Sequence, residues 1–296
     1  MGTAVVLASQ GQLGSLLLRE LRGRGEEAVG VDRDICDFTD AESVKGLFAR
    51  FPQMERLYNA AAFTAVDEAE DRRRVAFQIN ALGPGLLASC AALRGIELVH
   101  FSTDYVFGEG HEAPIDEGGS PAPLSAYGQS KLLGEELVMR HHPGAFVFRT
   151  SGLYSSHRPN FLRTMAQLAL SRDRVQVVAD QIVSPTRAST LARTAIEVVE
   201  KGRPGLYHAT SQGQCSWHEF ASALFEELHI GVGVQPVPSS AWPTRARRPP
   251  YSALDNGALR RQGLDGFTHW RVDLQDFLSR HGEALLKQCS SLDGTG

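Results

Sequence analysis

The chain has 296 residues, of which 42% are apolar and 22% charged, enough to bury one large hydrophobic core or two smaller ones. Thirty basic and thirty-four acidic side chains leave a formal charge of -4, and no basic run exceeds residues 72–74, so we expect neither a nucleic-acid nor a membrane partner. No apolar run approaches the roughly 18–20 residues that span a bilayer, no secretory signal pattern precedes the first strand, and four scattered cysteines favour a reducing, cytoplasmic compartment.

The first half of the chain alternates short apolar runs with longer helical patterns, which is typical of a parallel α/β sheet. The predicted strands cover residues 4–8, 28–32, 56–60, 97–102 and 145–149, and the predicted helices cover residues 12–24, 40–51, 70–93 and 125–140. Thr39 and Glu42 predict a capping box at the second helix, and Gly83-Pro84 predicts a kink or break in the third. We therefore expect a doubly wound, Rossmann-type parallel sheet.

The second half of the chain is less regular. Predicted strands lie at residues 175–178, 206–209 and 234–237, and predicted helices at residues 160–171 and 189–200. Ser216 and Glu219 predict a second capping box, which opens one more helix. We expect a dinucleotide-binding domain over residues 1–150, which residues 187–209 could rejoin, a smaller α/β substrate domain over residues 151–285, and an irregular tail over residues 286–296.

A glycine turn follows the first predicted strand, where Gly11 and Gly14 flank the start of an apolar helix. Such a turn presents free backbone N–H groups and the positive end of the helix dipole to a pyrophosphate. Gly11 would let the phosphates approach, and Gly14 would let the helix pack closely on the sheet. Two glycines also fit a plain turn, but their position after the first strand of a βαβ unit favours a dinucleotide site.

Asp32 closes the second predicted strand, where a carboxylate can accept hydrogen bonds from the adenosine ribose of a dinucleotide. Arg33 beside it could instead meet a 2′-phosphate. These two residues therefore leave the choice between NADH and NADPH open.

Thr103 leaves the fourth predicted strand, and Tyr127 and Lys131 stand at the start of the helix that follows. The carboxyl ends of parallel strands border the ligand crevice, so Thr103 is placed for chemistry. Tyr127 and Lys131 are four residues apart and share one helix face, where an ammonium would lower the pKa of a phenol from about 10 toward neutrality. With six tyrosines in the chain, this spacing rarely arises by chance, and it favours a general acid over a surface pair.

These motifs resemble the extended short-chain dehydrogenase/reductase superfamily and, within it, the dTDP-4-dehydrorhamnose reductase family. The resemblance covers nearly the whole chain. The motifs that carry it are residues 11–14, 59–67, Asn80, and residues 102–107, 123–124, 127–131, 149–151, 160–161, 180–181, 185–186 and 248–249.

The resemblance implies that hydride from NADPH or NADH reduces the C4 ketone of a dTDP-linked 4-keto-6-deoxy sugar, with dTDP-4-dehydrorhamnose as the first expected substrate and dTDP-L-rhamnose as its product. Tyr127 would protonate the C4 oxygen, Thr103 would hydrogen-bond the same oxygen, and Lys131 would hold the nicotinamide ribose. Further implied cofactor contacts are Gln12, Leu13, Asp32, Asp37, Phe38, Ala62, Phe63 and Thr64, and the implied substrate contacts are Val66, Thr103 and Asp104.

Two positions depart from the family pattern. Ala8 stands where the family usually has its first phosphate-loop glycine, and its Cβ would crowd the turn if that position needs a positive φ. We expect weaker cofactor binding from this change. Gly152 stands where the family usually has a tryptophan against the sugar ring, which leaves the identity of the hexose open.

Two other functions fit parts of the pattern. One is a reductase or epimerase of another nucleotide-linked 4-keto sugar; a dehydratase fits less well, because Tyr105 stands where such enzymes carry a Glu. The other is a non-catalytic protein, since the regulatory subunit of methionine adenosyltransferase uses the same fold. A homodimer is compatible with the resemblance, and we expect no metal ion because the sequence shows no acidic cluster.

Overall fold

A six-stranded parallel sheet forms the centre of the fold in the computed structural model, which describes residues 2–293. The strands of the protein are β1 (Thr3–Leu7), β2 (Ala28–Val31), β3 (Met54–Asn59), β4 (Glu97–Thr103), β5 (Phe146–Thr150), β6 (Leu153–Tyr154), β7 (Arg174–Val178), β8 (Ile182–Val183), β9 (Thr186–Arg187), β10 (Gly205–His208), β11 (Cys215–Ser216) and β12 (Gly233–Val237). The central sheet has the order β10-β5-β4-β3-β1-β2. The predicted doubly wound sheet is confirmed, and its strand order reverses between β1 and β3, where ligands of such sheets bind.

Helices cover both faces of this sheet. The helices are α1 (Gln12–Gly23), α2 (Ala41–Arg50), α3 (Val66–Asp71), α4 (Arg73–Phe77), α5 (Gly83–Ala92), α6 (Ala126–His141), α7 (Phe161–Ser171), α8 (Ala188–Lys201), α9 (Trp217–Glu227), α10 (Gly257–Arg261) and α11 (Trp270–Asp293). Alternate residues of β1 point to opposite faces, so Ala4 and Val6 pack in one apolar cluster with α1 and α8, while Val5 and Leu7 pack in another with α2 and α5.

A second hydrophobic core lies in the C-terminal half and joins α7, α9 and α11 to β7. Its aromatic centre is formed by Tyr154, Phe220, Trp270 and Phe277, whose rings contact one another at centroid distances between 5.3 and 6.0 Å. The capping box of Ser216 and Glu219 opens α9 as predicted. Between the two halves, α8 packs on α1 and β10 pairs with β5, so this part of the chain belongs structurally to the central sheet.

Two local predictions need correction. The first residue of the α2 cap is Asp40 rather than Thr39, because Asp40 has the extended backbone of a cap and its carboxylate accepts the N–H of Ser43 at 2.7 Å. The hydroxyl of Thr39 donates to Asp37 instead. The predicted irregular tail is also wrong up to Asp293, since α11 continues that far and Cys289 is buried in the second core; residues 294–296 lie outside the described part.

The predicted interruption near Gly83-Pro84 takes the form of a π-helical turn, Gln78–Leu82, between α4 and α5. Pro84 has no N–H to offer the carbonyl four residues earlier, which favours such an irregularity. The combined helix Arg73–Ala92 is long and apolar enough to cross a membrane, contrary to our expectation from the sequence. Half of it is buried inside the fold, so its apolar character is that of a core helix.

Candidate functional site

The glycine turn, residues 8–14, lies at the carboxyl end of β1 as predicted. Ala8 has a φ of 53°, and its carbonyl accepts the N–H of Gly11 at 2.9 Å. A Cβ on Gly14 would lie 2.1 Å from that same carbonyl oxygen, so only glycine fits there. Gly11 caps α1 without a side-chain hydrogen bond, which leaves the first N–H groups of the helix available to an anion. This arrangement fits the pyrophosphate of a dinucleotide.

Ala8, which stands where the family usually has glycine, adopts a backbone conformation that favours glycine. A φ of 53° lies in the left-handed region, which costs a residue with a Cβ about 1 kcal/mol relative to glycine. The turn nevertheless closes, because Ala8 bonds to Gly11 and its Cβ stays 3.9 Å from the position of a Cβ there. Alanine at position 8 therefore strains the backbone of the turn but does not prevent the turn from forming.

Asp32 supports the glycine turn from the end of β2. Its carboxylate accepts the hydroxyl of Ser9 at 2.5 Å and the N–H of Gln10 at 3.2 Å. Arg33 is 86% exposed and its guanidinium lies 3.5 Å from Asp37, so it is available to a ligand at this edge. The carboxylate thus fixes the turn as well as facing the crevice, a role that the sequence alone did not suggest.

The remaining predicted cofactor residues lie in the first turn of α1 and on the loops after β2 and β3. Hydrogen bonds from Thr39 hold the pKa of Asp37 below its usual range, and the ring of Phe38 lies against Gly83, where a Cβ would sit 2.6 Å away. Leu13 points its side chain into the core beside the sheet, so only its backbone can reach a ligand. Ala62 is half-buried and Thr64 exposed on the third loop.

Asn80 links the loop after β3 to α6. Its side chain accepts the N–H of Phe63 at 2.8 Å and donates to the carbonyl of Phe63 at 3.1 Å. The same amide donates to the hydroxyl of Ser130 at 3.0 Å, and that hydroxyl donates to the carbonyl of Tyr127 at 2.7 Å. These hydrogen bonds therefore connect the backbone beside the crevice to the backbone of Tyr127.

Thr103 and Tyr127 meet at the carboxyl end of β4. Ser125 caps α6, and a Cβ on Gly128 would lie 2.1 Å from the carbonyl of Tyr105, so glycine lets the first turn of α6 approach the strand end. Burial raises the pKa of Tyr127 to about 12, against a hydrogen bond with Thr103 that lowers it. Tyr127 therefore holds its proton at neutral pH, as a proton donor requires.

Lys131 lies one turn further along α6 and is fully buried. Its ammonium group donates to the carbonyl of Phe101 at 2.6 Å and lies 3.4 Å from Nε2 of His100. Burial lowers the pKa of Lys131 to about 8, against the nearby charge of Glu135. The expectation that Lys131 lowers the pKa of Tyr127 is wrong for this structure, because the lysine points to β4 and burial dominates the phenol.

Asp104 lies beneath the strand end with its carboxylate surrounded by hydroxyl groups. Oδ2 accepts hydrogen bonds from Ser151 at 2.8 Å and from Ser252 at 2.6 Å, while Oδ1 accepts one from Thr103 at 3.0 Å. Burial raises the pKa of Asp104 against these three hydrogen bonds. The structure thus gives Asp104 three protein partners from three separate segments, and it fixes the orientation of Thr103.

Val66 begins α3 at the mouth of the crevice and is half-buried. Beside it, Asp67 accepts a hydrogen bond from Arg248 at 2.6 Å, which holds the pKa of Asp67 below its usual range. Arg248 also bonds the hydroxyl of Tyr105, whose ring stands edge-on to Tyr127 at 5.8 Å. These two bonds hold the segment around Arg248 against the start of α3 and against Tyr105.

A buried polar layer lies behind Thr103 and Tyr127; we use this name for His100, Ser102, Lys131, Glu135 and Arg149. Arg149 of β5 pairs with Glu135 of α6 at 2.6 Å, and Ser102 of β4 donates to the same carboxylate. All five side chains are buried. Such a pair is stable only because its remaining hydrogen-bonding groups are satisfied, which fixes α6 relative to two strands.

Trp217 of α9 occupies the space next to Gly152. Gly152 has a φ of 54°, and a Cβ there would lie 3.1 Å from Pro185 and 3.4 Å from the ring of Trp217. Trp217 in turn packs on Phe161 with a centroid distance of 4.5 Å. An aromatic surface is therefore present at this position, although it comes from another helix than the one the family pattern suggests.

Sequence reasoning missed the side chains that support the site rather than form it. His100 and Glu135 belong to no motif, Ser102 belongs to one that assigned it no role, and Trp217 lies far along the chain from Gly152. A polar residue inside an apolar strand, such as His100 in β4, is the one signal that could have drawn attention, because buried strands are normally apolar on both faces. Within the described residues, no group of three or more His, Cys, Asp or Glu side chains could hold a metal ion.

A family model described as RmlD substrate binding domain matches residues 3–282. The spore coat polysaccharide biosynthesis protein SpsK of Bacillus subtilis is 35% identical, covering 96% of this chain and 99% of that protein. A dTDP-4-keto-6-deoxy-D-glucose reductase of Streptomyces niveus is 36% identical, covering 91% and 94%. The crystal structure of dTDP-4-dehydrorhamnose reductase from Bacillus anthracis in complex with NADP is 34% identical, with a TM-score of 0.91, covering 94% and 99%.

Proposed function

The chain belongs to the dTDP-4-dehydrorhamnose reductase family, and we propose that it reduces the C4 ketone of dTDP-4-dehydrorhamnose to give dTDP-L-rhamnose. It is an NADP-dependent oxidoreductase. The observation that carries the proposal is the pairing of Tyr127 with Thr103 at the strand end, beside a glycine turn shaped for a dinucleotide.

The cofactor, when bound, supplies the hydride that reduces C4. The residues of the chain supply the proton and the geometry. Tyr127 keeps its proton because burial raises its pKa to about 12, and the growing negative charge on the C4 oxygen is what draws that proton away. In this structure the hydroxyl of Thr103 donates its single hydrogen to Asp104. To hydrogen-bond the C4 oxygen, it would turn that hydrogen from the carboxylate to the substrate. Lys131 would hold the nicotinamide ribose.

The two residues that follow β2, Asp32 and Arg33, would select the cofactor. We assign the ribose to Asp32 and the 2′-phosphate of NADPH to Arg33, whose guanidinium is exposed and whose partner Asp37 is itself exposed. The NADP complex of the Bacillus anthracis relative supports NADPH as the cofactor. Gly11, Gln12, Leu13 and Gly14 would bind the pyrophosphate through backbone N–H groups.

The sugar would lie between the strand end and the C-terminal half. Val66 borders this space on one side, and Trp217 with Phe161 borders it on the other next to Gly152. Aromatic rings stack on the apolar faces of sugars, which favours a substrate contact for Trp217. We expect Trp217→Ala to raise KM for the sugar by about tenfold with little change in kcat, and Trp217→Phe to recover most of the loss.

The test of the function is NADPH consumption by the purified protein with dTDP-4-dehydrorhamnose, followed by identification of the product by NMR. Replacing NADPH by NADH tests the cofactor preference. Arg33→Ser should reduce the difference in KM between NADPH and NADH. The relative from Streptomyces niveus makes dTDP-4-keto-6-deoxy-D-glucose the second sugar to assay. Turnover with this sugar alone would change the substrate but keep the reaction. NADPH binding without turnover of any such sugar would instead indicate a non-catalytic protein.

A further inference from the structure

A chain of three contacts leads from the backbone after β3 to Lys131. The N–H of Ala61 donates to Oδ1 of Asn59 at 3.2 Å, and Nδ2 of Asn59 lies 3.1 Å from Nδ1 of His100. Nε2 of His100 then lies 3.4 Å from Nζ of Lys131. Asn59, His100 and Lys131 are each at most 1% exposed, so water does not compete for these contacts.

The direction of this chain is set at its first link. A backbone N–H can only donate, so the atom of Asn59 facing Ala61 must be the amide oxygen, and the NH₂ group must face His100. Nδ1 of His100 must then accept, because two donors cannot share one hydrogen bond. A neutral imidazole that accepts at Nδ1 carries its hydrogen on Nε2, and this hydrogen points at Lys131.

His100 is held neutral by its surroundings. Burial, and then the charge of Lys131, keep the pKa of His100 well below its usual value. Lys131 therefore faces an N–H group on one side and the carbonyl of Phe101 on the other. A neutral amine satisfies both neighbours, since it donates to the carbonyl and accepts from the imidazole, whereas an ammonium has no lone pair to offer His100.

The other charged or titratable groups around Lys131 have defined partners. On α6, Tyr127 bonds with Thr103, and Glu135 favours the charged lysine but is engaged by Arg149 of β5 and by Ser102 of β4. The charge that Glu135 offers to Lys131 is thus shared with a guanidinium at 2.6 Å. His100 is the remaining neighbour, and its hydrogen opposes the ammonium.

We propose that Asn59 and His100 are positioning residues that keep Lys131 easy to deprotonate, so that Lys131 takes up a proton from solvent when the anionic cofactor binds. The proposal rests on the NADPH site of the proposed function. The proton ends on Nζ, where the ribose hydroxyls and the negative charge of the cofactor stabilise the ammonium. Proton uptake then couples cofactor binding to pH before any chemistry takes place.

The first experiment uses the unaltered protein. Nitrogen-15 NMR of the histidine side chains distinguishes a hydrogen on Nε2 from one on Nδ1, and His100→Asn identifies the signal. We expect the neutral form with hydrogen on Nε2 throughout about pH 6–9. A hydrogen on Nδ1, or a charged imidazole in this range, would overturn the proposal.

The second experiment measures NADPH binding by calorimetry in two buffers of different ionisation enthalpy, without sugar. The phosphate groups of NADPH are ionised above about pH 7, so proton uptake near pH 8 reports on the protein. In Asn59→Leu, His100 is free to turn its lone pair toward Lys131. The midpoint of the pH dependence should then rise by about half a unit or more. Asn256→Leu is the matched control, because Asn256 is also buried and its side chain bonds to Thr210 and Asp265 instead of to His100.

An unchanged midpoint in Asn59→Leu, or no proton uptake by the unaltered protein, would refute the coupling. These readouts do not involve the sugar, so they separate the inference from the function. Proton uptake without turnover of any sugar leaves the inference standing and refutes the proposed reaction. Turnover without proton uptake leaves the proposed reaction standing and refutes the inference.

Discussion

The two halves of the crevice are built in different ways. The glycine turn uses backbone N–H groups and the absence of side chains, and its shape depends on the fit of Gly14 against Ala8. The polar layer uses buried side chains from β4, β5 and α6, each with a fixed hydrogen-bond partner. The first half is therefore sensitive to added atoms, and the second is sensitive to protons and to lost partners.

The largest effect should come from the catalytic half. Tyr127→Phe removes the proton donor but leaves the ring, so we expect kcat to fall by roughly 10²- to 10⁴-fold while NADPH affinity changes little. Steady-state kinetics and NADPH titration measure the two quantities. Tyr207→Phe is the control, since Tyr207 lies on the edge strand β10 and its hydroxyl donates to the carbonyl of Arg203. An unchanged kcat in Tyr127→Phe would exclude Tyr127 as the acid.

Acid should lower the free energy of unfolding through His208, which is buried next to Arg149 of the polar layer. Its Nδ1 lies 2.9 Å from the carbonyl of Ile115, and burial together with the Arg149 charge lowers the pKa of His208 to about 4. The unfolded chain takes up this proton near pH 6.5, so stability present above that pH is lost as the pH falls toward 4. We expect a loss of about 3 kcal/mol in the free energy of unfolding at pH 4.

Urea unfolding at several pH values measures this loss. His208→Gln should flatten the pH dependence between about pH 6.5 and 4, because the titrating group is gone. His141→Gln provides the comparison, since His141 is exposed at the end of α6. Equal slopes in His208→Gln and the unaltered protein would show that other groups cause the acid sensitivity.

Gly14→Ala should damage the other half. The added Cβ would lie 2.1 Å from the carbonyl oxygen of Ala8, so the turn must move. We expect this movement to cost about 1–3 kcal/mol in stability and to lower the affinity for NADPH. Thermal unfolding and NADPH titration report both. Gly46→Ala on α2 is the control, because a Cβ there meets nothing within 4 Å and alanine favours a helix. If Gly14→Ala bound NADPH normally, the turn would not be the phosphate site.

Ala8→Gly should have the smallest effect and the opposite sign. Glycine removes the strain of a φ of 53°, so we expect a gain of about 1 kcal/mol or less in stability and tighter NADPH binding. His229 has a φ of 54° but lies after α9, outside the crevice. His229→Gly should therefore change stability alone. Tighter NADPH binding in both variants would show that the effect on affinity is not local to the turn.

The sequence predicted much of the framework because its signals are local. Strand and helix periodicity located all six strands of the central sheet, and Ser216 with Glu219 marked the start of α9 correctly. The α2 cap was misplaced by one residue, since Thr39 and Asp40 are both good caps and only the backbone geometry selects Asp40. The whole of α11 was missed, and it packs in the second core through residues such as Leu274, Phe277 and Cys289.

By itself, the sequence determined the sheet, the glycine turn and the spacing of Tyr127 and Lys131, because each depends on residues close together in the chain. Only the tertiary structure decided which partner each site residue has. It turned Lys131 toward His100, surrounded Asp104 with Ser151 and Ser252, and placed Trp217 beside Gly152. These contacts join segments far apart in the chain, and burial sets their energies, so no local pattern of residues encodes them.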